Sequence, residues 1–230
     1  MELFSHDGGQ FLLRWFHYLA GVTWIGLLYY FNFVQGAWFK ETDGNSKSAA
    51  TQQLVPRALW WFRWGAMLTF LTGFTILTDK FHAGGTALFA TSYGVFIMTG
   101  STLGTLMFLN VWLIIWPNQK IVIASATEAA KGGKANPDAA KSAAKAGLAS
   151  RTNVMFSVPM LFFMGAASHL PMQINPETCG TAAIVLGVII LALEVNAIRG
   201  KLGPLESIKG VIHCGLALTA VLYGVIAFFG

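Results

Sequence analysis

Charge is what this sequence has least of. Only 11% of its 230 residues are Asp, Glu, Lys or Arg, against about 25% in an average soluble domain. Too few polar groups remain to coat a globule of this size in water, which argues against a soluble enzyme and against a disordered chain. Cysteine is nearly absent too. Cys179 and Cys214 form neither a CxxC nor a CxxCH pattern, so a disulfide-stapled module and a covalently attached c-type haem are excluded.

Apolar residues fill the space that charge leaves. They make up 55% of the chain, and the mean hydropathy is +0.59. Six stretches, at residues 11–39, 58–78, 86–116, 152–172, 179–199 and 210–229, each offer the roughly 20 residues that a spanning helix needs. The expected fold is all-α: an integral membrane bundle of six transmembrane helices forming a single membrane domain over residues 1–230. The first stretch is too long, and too rich in Trp and Tyr, for a cleavable signal peptide.

The basic residues fall on one side. All but Arg14 and Lys80 lie after helices 1, 3 and 5 or at the adjoining helix ends. By the positive-inside rule that side is cytoplasmic, which places both termini on the periplasmic side. The net charge of +5 therefore reports topology and a lipid bilayer rather than nucleic acid. The connection 117–151, rich in Ala and Lys, reads as a cytoplasmic loop with two short helices, either extending helix 3 or lying on the lipid surface. Asn136–Pro137 resembles a helix start within it.

Polar groups inside a span are costly and therefore informative. On helix 1, His17, Gly21, Trp24, Asn32 and Gln35 share one face, which must look into the bundle as a hydrogen-bonded seam or as the wall of a cavity. On helix 3, Ser92, Thr99 and Asn110 flank a Gly100–Gly104 pair, the pattern of a packing seam. Small residues form one stripe with Glu194 on helix 5 (Gly180, Ala183, Gly187) and another with His213 on helix 6 (Ala217, Ala220, Gly224). These stripes are expected to pack together and bring Glu194 to His213, as a locking ion pair or as a proton path.

His17, His82 and His169 lie at the outer helix ends. Two of them could ligate a b-type haem, and all three a non-haem metal, with His17 the foremost candidate ligand. His6 belongs to a free N-terminus. Met155, Met160 and Met164 read as core filler or as soft ligands. Most tryptophans suit an aromatic belt. Arg63 among them either snorkels to the surface or turns inward to hold an anionic group.

One helix carries a resemblance. Arg14-Trp-Phe-His17-Tyr-Leu-Ala-Gly21-Val-Thr-Trp24-Ile-Gly26, followed by Tyr29-Tyr30-Phe31, resembles the first membrane helix of the bacterial membrane-bound, cytochrome-c-type urate oxidase (urate hydroxylase) family. Trp61-Phe62-Arg63-Trp64…Leu71-Thr72-Gly73, Asn110-Val-Trp…Pro117-Asn-Gln-Lys120 and Ser150-Arg151-Thr-Asn153…Pro159-Met160 extend the likeness over nearly the whole chain. The His…Trp-x-Gly helix is also similar to haem-binding membrane proteins of the protoporphyrinogen-oxidase type. The resemblance implies a bacterial inner-membrane oxidoreductase that oxidises urate and passes electrons to a c-type cytochrome, with His17 helping to hold a haem or the substrate. Full-length relatives continue into a cytochrome c domain, and this sequence stops at Gly230 without one.

Two functions follow as expectations. The first is urate hydroxylase-like oxidation with an external cytochrome as acceptor and possible use of a b-type haem. In it Asn32, Arg63, Glu194 and His213 are candidate residues for polar lining or proton handling. The alternative is a non-catalytic membrane subunit, with or without haem, packed against partner subunits of a respiratory or photosynthetic complex. A transporter would show inverted repeats or helices broken at matching positions, and neither occurs here.

Overall fold

The computed structural model describes residues 2–229. Among these residues there is no strand, and six helices carry the chain: α1 (His6–Glu41), α2 (Gly44–Gly84), α3 (Ser92–Ala130), α4 (Ala139–His169), α5 (Cys179–Arg199) and α6 (Ile208–Phe229). Each expected stretch falls mainly on one of them. Four helices, α1, α3, α5 and α6, are long and apolar enough to cross a membrane. Contacts between helices set their alternation. His17 meets Thr72, Asn32 meets Ser150 and Ser92 meets the end of α4, so α1 runs against α2 and α4, and α3 against α4. One end of the bundle thus carries the described termini, and the other most of the lysines.

The segment 117–151 holds two helical stretches, as expected, and the first of them extends helix 3. α3 continues to Ala130 and α4 begins at Ala139, so most of the Ala- and Lys-rich segment is helix. Alanine and lysine are strong helix formers, and only the Gly132–Gly133 turn and Pro137 interrupt them. α2 likewise begins well before its apolar stretch because Asp43 caps it, its carboxylate accepting from the N–H groups of Asn45 and Ser46 at 2.8 and 3.0 Å. Hydrogen bonds from Ser46, first its hydroxyl and then its backbone N–H, hold the Asp43 carboxyl below the usual carboxylate range. The cap therefore stabilises fully above the ordinary carboxylate value and fades as pH falls through the lowered one. Asp43→Ala should lower the thermal stability of the detergent-solubilised protein at neutral pH, with the gap from wild type closing in acid. Asp43→Asn should keep the cap and remove that pH dependence.

α4 is the central helix. Asn153, Phe156, Ser157 and Phe163 are wholly buried on it, and α1, α3, α5 and α6 all touch it. The Gly100 seam forms as expected: a Cβ at Gly100 would stand 3.3 Å from the backbone nitrogen of Met164. The small-residue stripes of α5 and α6 do not pack together. Gly180, Ala183, Ala217, Ala220 and Gly224 are exposed, while the buried stripes are Ala182, Leu186, Ile190 and Glu194 on α5 and Val211, Gly215, Leu218, Leu222 and Ile226 on α6. Branched aliphatic side chains give more contact with α4 than a glycine ridge does. Gly215 alone makes the close approach, where a Cβ would lie 2.7 Å from Val158 Cγ2.

A histidine-lined chamber and a buried amide–carboxylate cluster

α1 turns the face expected of it inward. Trp24, Asn32 and Gln35 are buried, and His17 and Gly21 are half-buried. Near the terminal end this face closes a slot against α2, α3 and α4. The slot has two adjoining chambers. The outer, about 330 Å³, is lined by Arg14, His17, Tyr93, Ser168 and His169 among others. The inner, about 90 Å³, is lined by His17, Trp24, Thr69, Gly73, Gly104 and Met160 among others. His17 and Met164 belong to both.

Thr72 sets the tautomer of His17. Its hydroxyl donates to the Leu68 carbonyl at 2.6 Å, the usual partner of a helical threonine. With that hydrogen committed, the 3.1 Å contact to His17 Nδ1 is one in which the imidazole N–H donates. Nε2 then keeps its lone pair, the form of histidine that ligates metal or accepts a proton. Gly73 makes room for the ring, since a Cβ there would stand 2.9 Å from His17 Cε1. At the floor of the inner chamber Trp24 is only 2% exposed, and its Nε1–H has no hydrogen-bond partner.

The second polar centre lies in the lysine-rich half. Asn110 Nδ2 donates to Asn153 Oδ1 at 2.9 Å and to Glu194 Oε2 at 3.1 Å, while Asn153 Nδ2 donates to the Met107 carbonyl at 2.9 Å. All three side chains are buried, Glu194 at 7% exposure. Asn110 opens a π-helical turn, Asn110–Ile115, and Asn32 sits in another, Tyr30–Gln35. Such turns widen the backbone ladder and occur often at functional positions. Asn32 Nδ2 donates to the Leu28 carbonyl and to Ser150 Oγ, both at 2.8 Å. Tyr29 and Ser157 share a further 2.8 Å hydrogen bond. The α4 row Ser150, Asn153, Ser157 thus joins α1 and, through Asn110, α3 and α5.

The sequence-expected residues are therefore divided. His17 and His169 line one chamber. His82 is exposed in the last turn of α2, outside both chambers. Among the described residues no group of three or more His, Cys, Asp or Glu could hold a metal ion, so the three-histidine metal site does not form. Glu194 and His213 do not meet: no hydrogen bond or ion pair joins them, Asn110 is the partner of Glu194, and His213 points out of the bundle. The cause is rotational, since α6 buries Gly215 rather than the His213 stripe. Arg63 lies 3.5 Å from the centroid of the Trp116 ring, a stacked cation that lines neither chamber. His6 is not free, its Nε2 lying 3.1 Å from Asp79 Oδ1. Sequence reasoning does not single out Asn153 as a site residue, although the polar spacing of Ser150, Asn153 and Ser157 marks one side of α4.

The family model described as Urate oxidase N-terminal matches residues 81–227, a span that contains α3 to α5 and all but the last residues of α6. No curated protein and no solved structure matches the chain.

Proposed function

The chain belongs to the urate oxidase N-terminal family, and from that premise we propose that it is a membrane oxidoreductase that oxidises urate or a similar purine and passes the electrons to an external c-type cytochrome. The basic residues gathered at one end of the bundle support a bacterial inner membrane crossed six times, with the termini and the chamber on the periplasmic side. A cytochrome on that side would meet the end of the bundle where His17 lies.

The observation that carries the redox reading is the pairing of imidazoles. His17, with Nε2 left free by Thr72, lines one chamber with His169. Those two residues would hold a b-type haem, which would supply one-electron carriage. Thr72 fixes the orientation of His17, and Gly73 keeps its ring edge clear. Asn32, Arg63 and Glu194 take positioning roles, each engaged by a neighbouring helix rather than by the chamber.

The test is the absorption spectrum of the purified protein, oxidised, then reduced with dithionite, then with urate alone in the absence of oxygen. A b-type band that urate reduces is expected, lost in His17→Ala and in His169→Ala. A featureless spectrum would overturn the haem assignment, and a band that urate leaves oxidised would overturn the substrate.

A further inference from the structure

We propose that Arg14 anchors the oxyanion edge of a flat, macrocycle-sized ligand lying along α1 in the slot formed by the two chambers. The proposal rests on the redox reading above and adds the ligand's orientation and the group that recognises it. Arg14 lines the outer chamber one turn before His17, about 4.5 Å along the helix. Among the described residues it has no carboxylate within 4 Å and makes no hydrogen bond. The other polar groups facing it across the chamber, Tyr93, Ser168 and His169, include no acid. A guanidinium within an apolar segment is costly unless an anion meets it, and its planar fork suits a carboxylate.

The second observation lies at the opposite end. Trp24 lines the inner chamber and marks the far end of the slot, its own Nε1–H sealed inside the bundle without a partner. Arg14 and Trp24 are ten residues apart on α1, about 15 Å, with His17 between them. Gly73, Ser101, Gly104 and Gly165 leave the facing walls nearly bare. The slot is thus long, narrow and positive at one end. An oxyanion for Arg14 could come from the carboxylates on the rim of a tetrapyrrole or from the ring oxygens of an anionic purine. The length favours the tetrapyrrole, because a fused two-ring purine cannot reach from Arg14 to Trp24.

The experiment uses metal-free protoporphyrin and its dimethyl ester, which differ only in their carboxylates and bind without iron coordination by His17. Fluorescence titration of the full chain in detergent should show the free acid bound about tenfold or more tightly than the ester, the worth of a hydrogen bond to a charged group. Arg14→Gln should lose that preference, Arg14→Lys should keep part of it, and Lys80→Gln, at a cation outside both chambers, should keep it all. A porphyrin that fails to bind, with urate affinity falling about tenfold in Arg14→Gln, would assign the oxyanion to the purine and overturn the macrocycle-sized ligand. Porphyrin and urate binding both indifferent to Arg14 would overturn the anchor itself. An intact acid-over-ester preference in a protein that carries no haem and ignores urate would overturn the redox reading alone.

Discussion

The Gly73→Leu variant is expected to lose the b-type absorption band as completely as His17→Ala, although its imidazole is still in the chain. The space at position 73 is already taken by His17. A Cβ there would stand 2.9 Å from Cε1 and 3.3 Å from Nδ1, so alanine needs the ring to shift by a few tenths of an ångström. Leucine adds a branched side chain in the same direction, and the ring cannot yield that far and keep its 3.1 Å contact with Thr72. A graded series should result, with Gly73→Ala weakening the band and Gly73→Leu abolishing it. Thr72→Ser should preserve the band, and Thr72→Val should weaken it by releasing the tautomer. A full band in Gly73→Leu would show that His17 is not the ligand.

Asn153→Leu is expected to be the most destabilising single change in the lysine-rich half. Leucine keeps the branching of asparagine at Cγ but is bulkier and replaces both polar atoms with methyl groups, so no cavity opens and every hydrogen bond of the side chain is lost. The change strands one hydrogen of Asn110 and takes one of two donors from the Met107 carbonyl, which keeps the Asn110 backbone N–H, in a place where Asn153 itself is wholly buried. The stranded hydrogen costs about 1–3 kcal/mol and the lost bond to Met107 about 1 kcal/mol more, a total of about 2–4 kcal/mol. Thermal unfolding in detergent, followed by the near-ultraviolet signal of the tryptophans, would read it as a lowered midpoint. Replacing Asn110 and Asn153 together should cost less than the two single changes combined, because neither amide is then left facing an apolar partner. A single-variant loss below about 0.5 kcal/mol, the usual limit for surface changes, would mean that water or lipid reaches the cluster.

Periodicity made the helices and the inward face of α1 legible, because His17, Trp24, Asn32 and Gln35 repeat at helical spacing in a segment otherwise apolar. The family was legible too, but the family match and the most specific run of residues do not coincide. The match covers residues 81–227, whereas the His17–Trp24 run lies in α1, before it. Rotation was not legible for α5 and α6. Their small and aliphatic stripes are both regular, and only contact with α4 decides which is buried. Each small-residue stripe carries Glu194 or His213, but a shared stripe brings two residues together only if both stripes turn inward, and that of His213 does not. The chamber was half legible. Its histidines could be read from the sequence, but Thr72 lies 55 residues beyond His17, and only the pairing of α1 with α2 brings them together. Arg14 was counted as a marker of topology, and its lack of an acidic partner became visible only in the fold.

The polar row on α4 bears on how the protein is made. Chains emerge from the ribosome N-terminus first, so α1 and α3 are synthesised before α4. Asn32 and Asn110 then enter the bilayer lacking Ser150 and Asn153, the α4 residues that later bond them. An amide without a partner in hydrocarbon is costly; Asn32 keeps its bond to the Leu28 carbonyl within α1, so the cost falls chiefly on Asn110 and favours holding α3 near the protein-lined insertion site. The arrival of α4 supplies the missing partners, and α5 then adds Glu194 to an amide already in place. Biogenesis of this bundle is therefore gated by its fourth helix, and a nascent chain halted short of Ser150 should remain bound to the insertion machinery.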